Sequence, residues 1–227
     1  MPLMLTQKPL RSLRRDRKGV AAIELAYTLP VFMLLTFTGI ELTHLAIASM
    51  RVNQIAMTVA DNLSRAKQSV GLTLPVRREV DVNDALIGAK IQGGDTLQIL
   101  ENGRIIVSSL QQDSNGRQTI LWQRCKGKNK QVSAYGVEGT TQPTNGSSGF
   151  QGMGSGAHQV KAEPNSAIIF AEVVYTYDPL FADWVLGKPE MRREAAFYVR
   201  DDRALGKPEN YTPKASVAEC TQYSSTF

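Results

Sequence analysis

Residues 14–42 read RRDRKGVAAIELAYTLPVFMLLTFTGIEL, and this stretch decides the fold. From Leu25 to Ile40 there are 16 residues without a charge, and Glu24 is the only charge between Val20 and Ile40. At about 1.5 Å of rise per residue, a helix from Val20 to Glu41 covers about 32 Å, close to a hydrocarbon core of about 30 Å. The segment therefore reads as a transmembrane helix over 20–41, with Glu41 at the far interface. Pro30 lacks an N–H and is expected to kink that helix.

The charge pattern around it fixes an orientation. The net charge is +5. Residues 1–18 hold Lys8, Arg11, Arg14, Arg15, Arg17 and Lys18 against Asp16, and the rest of the chain is balanced. A nucleic-acid-binding domain spreads its positive charge over a folded face. Here the excess ends where the apolar run begins, so no nucleic-acid partner is expected. Basic residues before a span keep the N-terminus in the cytoplasm. Everything after Glu41 is then expected outside the inner membrane, in the periplasm.

Glu24 is the odd residue of the run. An ionisable group inside a span is costly and is a functional candidate. On electrostatics alone it is either that or a carboxylate reaching the interface beside Arg17 or Lys18.

Basic residues, then Gly19, then Glu24, then an apolar helix resemble the class III signal of type IV prepilins. That resemblance implies cleavage between Gly19 and Val20 by a prepilin peptidase on the cytoplasmic side, with 1–19 as the removed leader. Residues 14–42 also resemble the start of TadE-like and TadG-like pseudopilins of Tad (Flp) pilus systems, with Pro30 as the single proline and Gly39-Ile40-Glu41-Leu42 as the exit. Val173 to Phe181 and the strand Arg192 to Arg200 are similar to later parts of the same family. The resemblance covers roughly 11–70 and 165–203, and the chain length favours the TadE-like branch. It implies a minor pseudopilin-like structural component of the pilus, in the filament or beneath it. The implied partners are the prepilin peptidase, other pilin-like subunits, Tad inner-membrane assembly proteins and the membrane itself. Glu24 would be an assembly carboxylate.

Beyond the span the helix is expected to continue over 42–70. Leu45, Val52, Val59 and Ala66 stand seven apart, and Leu42, Ala56 and Leu63 form a second row, giving one apolar stripe. Gly71 and Pro75 are expected to end it. Residues 71–227 read as an extracytoplasmic domain. Asp81 to Ile91 is a short helix with Asp81 as N-cap. Four strands follow from alternation and β-branching: Gly103 to Gln111, Gln118 to Cys125, Ala167 to Tyr177 and Arg192 to Arg200. Asp113-Ser114-Asn115-Gly116 is a hairpin turn, and Pro179 to Leu186 one helical turn. The fold class is α+β: a long N-terminal helix packed on a small antiparallel sheet, burying one sheet face. The Gly- and Ser-rich stretch 136–157 reads as a long exposed loop whose tip does not pack.

The chemistry-bearing residues are sparse. Gly152-x-Gly154-x-Gly156 lacks the strand and helix of a nucleotide loop and reads as loop glycine. No triad or paired-histidine spacing supports catalysis, so no catalytic residue, metal, cofactor or small-molecule substrate is expected and the chain is not read as an enzyme. Cys125 and Cys220 are expected to form one structural disulfide in an oxidising compartment, the alternative being two separate buried thiols. Three rival readings exist: a periplasmic protein released by ordinary signal peptidase after Ala48, using Ala46-Ile47-Ala48, a membrane-tethered enzyme, or a cytoplasmic regulator bound to nucleic acid, which the charge distribution disfavours.

Overall fold

The structure is a computed structural model that describes residues 19–69, 74–143, 149–181, 187–200 and 202–227. The leader 1–18, Gly71 and most of the helical turn expected before Leu186 lie outside the described residues. Pro179 to Phe181, at its start, are not helical.

The chain divides into two compact units, Met1–His44 and Leu45–Phe227. Helix α1, Val20–Arg65, contributes to both, and Pro30 lies inside it. In the first unit its side chains are almost all exposed. In the second, Ala48, Val52, Ile55, Ala56, Val59, Ala60 and Leu63 are buried in the main core, with Leu45 and Ala66 packed at its margin. The expected stripe is thus right for Val52, Ala56, Val59 and Leu63. Leu42 is a correction: it is 51% exposed and belongs to the first unit. Ile55 and Ala60 lie between the expected rows because a helix packed on a sheet buries a broader arc than a two-row seam.

Helix α2 spans Glu79–Leu97, longer than expected at both ends. Asp81 is its N3 residue rather than its N-cap; its Oδ2 accepts the backbone N–H of Arg78 at 2.9 Å. The span continues through Gly93 and ends its regular geometry at Gly94, whose φ of 59° is non-helical. Strands β1 (Gly103–Gln112), β2 (Gln118–Lys126), β3 (Ala167–Thr176) and β4 (Glu190–Tyr198) form one antiparallel sheet in the order β2-β1-β3-β4. The β1–β2 turn is as expected: Asp113 Oδ1 accepts the N–H groups of Asn115 and Arg117, each at 2.9 Å.

Both sheet faces are covered, where the sequence reading expected one. Ile105, Val107, Trp122, Ile169, Ala171 and Val173 point into the core shared with α1 and α2. The opposite face carries Leu110, Ile120, Ile168 and Phe170, which pack with Met153 and Ala162. The end of the Gly-rich stretch, around Met153, therefore packs, while 144–148 lie outside the described residues. Met153 is fully buried and pairs with Val160. Gly152 and Gly154 have φ of 137° and 90°. A Cβ on either would lie within 2.4 Å of a backbone carbonyl, of Val160 or His158 respectively, so the close approach of the two segments requires glycine. Sequence composition cannot show this, because the burial depends on a segment distant in the chain.

Candidate membrane and assembly segment

The first unit presents the sequence-predicted residues in one line. Gly19 stands just before the helix, and its carbonyl accepts the N–H of Ile23 at 3.1 Å, closing the first turn. Val20 is the first helical residue. Glu24 follows one turn later and is exposed. Thr28, Thr36 and Thr43 each turn their hydroxyl back to the carbonyl four residues earlier, at 2.9, 2.8 and 2.8 Å. These bonds satisfy each hydroxyl within its own helix, which is what an apolar surrounding demands.

Most of the apolar side chains here are exposed. Tyr27 is 78% exposed, Phe32 71% and Leu34 66%. None of the most apolar window of α1 is buried within the protein, and the helix is long and apolar enough to cross a membrane. A run of this size exposed on a soluble protein would be a strong association site. Neither Gly19 nor Gly39 is required by the protein's own packing: a Cβ built at either meets nothing within 4 Å.

The second unit is held by polar clamps that sequence reasoning missed. Cys125 and Cys220 are joined, tying β2 to the C-terminal tail, as expected from the cysteine count. Arg104, buried on β1, donates to the carbonyls of Cys220 at 2.5 Å and Gln222 at 3.3 Å, and its guanidinium stacks on the Tyr223 ring at 4.2 Å. Arg124 on β2 grips Glu79 of α2 through Nη2 at 2.5 Å and Nε at 3.0 Å, with both side chains nearly buried. At the end of α1, Arg77 donates to the carbonyl of Leu63 and stacks on Trp122, while Arg203 donates to those of Ser64 and Ala66. Two cations on a helix C-terminus match its dipole. Burial and the neighbouring Arg203 push the Arg77 guanidinium down from its ordinary value.

On the other sheet face Glu172, fully buried, accepts from Ser133 Oγ at 2.5 Å, Ala134 N at 3.0 Å and Arg192 Nη1 at 2.5 Å. Desolvation pushes its carboxyl up despite these partners. Burial and the Glu194 carboxylate push the Tyr135 hydroxyl up. The alternation that revealed the strands also places these residues, but the identity of their partners is not local information. A cleft of about 690 Å³ opens between the 132–138 segment and the tail, over Arg104 and the disulfide. The polar groups around it are committed to structural bonds: Arg104 to the tail, Arg124 to Glu79 and Lys207 to Glu138.

The anchor-like helix and the disulfide-bonded α+β unit define a class: among the described residues, one candidate membrane span near the N-terminus and a folded domain after it. Residues 19–61 match the family model described as TadE-like protein. The match begins at Gly19 and includes Val20, Glu24 and Pro30; the resemblance at 165–203 lies outside it. No curated protein and no solved structure matches the chain.

Proposed function

We propose that the protein is a pseudopilin-like structural component of Tad pilus assembly, anchored by residues 20–41 with its N-terminus in the cytoplasm and its domain in the periplasm. One observation carries the reading most: an exposed apolar run of α1 that begins at Val20, one residue after the TadE-like match begins at Gly19. Side chains that the protein does not use for its own fold are there for an outside partner. The membrane accounts for the apolar ones. Gly19 and Glu24 need a different reader.

For Gly19 that reader is a prepilin peptidase. Cleavage there leaves Val20 with a new α-amino group, whose ordinary pKa of roughly 7.7–8.0 keeps it largely protonated near neutrality. Glu24 stands one turn along the helix. Its carboxylate pairs with that amine, its own or an incoming subunit's, and the intermolecular pairing sets helix stagger. Lipid supplies no hydrophobic drive between helices, so such polar contacts weigh more there. Release after Ala48 by ordinary signal peptidase fits less well. Ala48 is buried, and the bond lies within α1, whose following residues build the core. The function needs no chemistry from the protein itself.

The test is a pair of variants. Gly19→Val should leave a membrane protein that retains its leader. Glu24→Gln should be cleaved and inserted normally yet fail to assemble pili or to co-purify with pilin-like partners. Normal processing of the first, or wild-type piliation with the second, would contradict the reading.

A further inference from the structure

The two edges of the sheet are treated differently. The β2 edge is covered along its length. Cys125 N–H donates to the Ala218 carbonyl at 2.8 Å, Gly127 N–H to that of Ser224 at 3.0 Å, and Ile120 N–H to that of Thr140 at 2.9 Å. Among the described residues the β4 edge has no such cover. Tyr177 N–H donates to Pro189 O, and Val199 N–H donates to Ala167 O. Together with the β3–β4 register, this places the backbone groups of the odd-numbered residues toward β3. Those of Glu190, Arg192, Glu194, Ala196 and Tyr198 point outward, and among the described residues none has a backbone partner on that side. The Arg192 carbonyl accepts instead from the side chain of Arg193, at 2.9 Å.

An open edge is a template for another strand. The sequence 190–200, EMRREAAFYVR, is complementary to itself when reversed about Ala195. In that register Glu190 faces Arg200, Met191 faces Val199, Arg192 faces Tyr198, Arg193 faces Phe197, and Ala195 faces its own copy. The pairs are an ion pair, an apolar pair and two cation–aromatic pairs, each present twice, with Glu194 facing Ala196 and a small centre, Ala195 against its copy, present once. Glu190 and Arg200 are exposed and have no ion-pair partner among the described residues. The neighbouring registers are repulsive. A shift of one step places Glu194 opposite Glu194, and a shift the other way places Arg192 opposite Arg200. Like charges directly opposite destabilise a ladder.

We propose that a second copy of this chain pairs with β4 antiparallel about Ala195, making one continuous eight-stranded sheet across two domains. The surface lies wholly within the Leu45–Phe227 unit, so it stands or falls separately from processing at Gly19.

The test is thiol crosslinking of the full chain in its own membrane. Both native cysteines are already joined, so an added thiol is the only free one. Opposed residues at a non-hydrogen-bonded position have Cα atoms about 4.5 Å apart, within disulfide reach. Ala195→Cys should give a reductant-sensitive dimer on mild oxidation, and Asp84→Cys, exposed on α2, should not. Adding Glu190→Arg to Ala195→Cys should reduce the dimer about tenfold by turning two attractive pairs repulsive. Adding Arg200→Glu as well should restore it. If Ala195→Cys fails to accumulate, Glu190→Cys co-expressed with Arg200→Cys should crosslink while neither alone does. Crosslinking no greater than that of Asp84→Cys, or indifferent to the charge reversal, would overturn the proposal.

Discussion

The two halves of α1 are written in similar letters and used in opposite ways. Leu34 and Leu35, in the first half, are 66% and 65% exposed; Ile55 and Leu63, in the second, are fully buried. The second half alternates its apolar residues with Arg51, Asn53, Gln54, Asp61 and Arg65, so only one arc faces the core. The first half is apolar on most sides, and among the described residues its most apolar window is unburied. The lesson is about who uses a side chain. In the second half the user is the domain, and mutations report as stability. In the first half, on the proposed function, the user is outside the molecule, and mutations should report as insertion, processing or assembly.

The largest effect expected inside the domain comes from its covalent tie. Cys125 and Cys220 close a loop of sequence separation 95. By loop-closure entropy such a link contributes on the order of 4–5 kcal/mol. Cys220→Ser should lower the domain's unfolding midpoint and expose the tail to protease, while membrane extraction behaviour is unchanged. Loss of insertion in that variant would break the division between the halves.

Next comes a matched pair of truncations. Ile55→Ala removes a fully buried side chain and should cost about 2–5 kcal/mol of domain stability, measured by denaturant unfolding. Leu34→Ala should leave that midpoint within about 0.5 kcal/mol, as an exposed site does. Equal losses from the two would mean that the first half is part of the folded core.

Much of this was legible before any coordinates. The four strands, the hairpin turn at Asp113 and the cysteine pair follow from alternation, turn chemistry and compartment, all local or compositional signals. The anchor was legible because an uncharged run has few other uses. The extension of α2 to Leu97 was not, since Gly93 and Gly94 are poor helix formers. The packed second sheet face was hidden because Met153 sits among glycines and serines. The burial of Arg77, Arg104 and Arg203 was not legible, since the carbonyls they donate to come from distant segments.

A smaller effect sharpens the picture of that second face. Desolvation raises the Glu172 carboxyl, so the fold favours its neutral form. Its contribution is therefore present below the ordinary carboxylate range and is lost as pH rises through the raised value. Glu172→Gln mimics the neutral form. The variant should match the wild type near pH 4 and become relatively more stable toward about pH 7. A variant that loses ground as pH rises would show that Arg192 and Ser133 outweigh the burial.

The most direct measurement is the mature N-terminus of the protein, read by N-terminal sequencing from cells with and without their prepilin peptidase. A first half read by outside partners predicts Val20 as the first residue when the peptidase is present, and the uncut leader when it is absent. An N-terminus at Ser49, or one that does not depend on that peptidase, would contradict it.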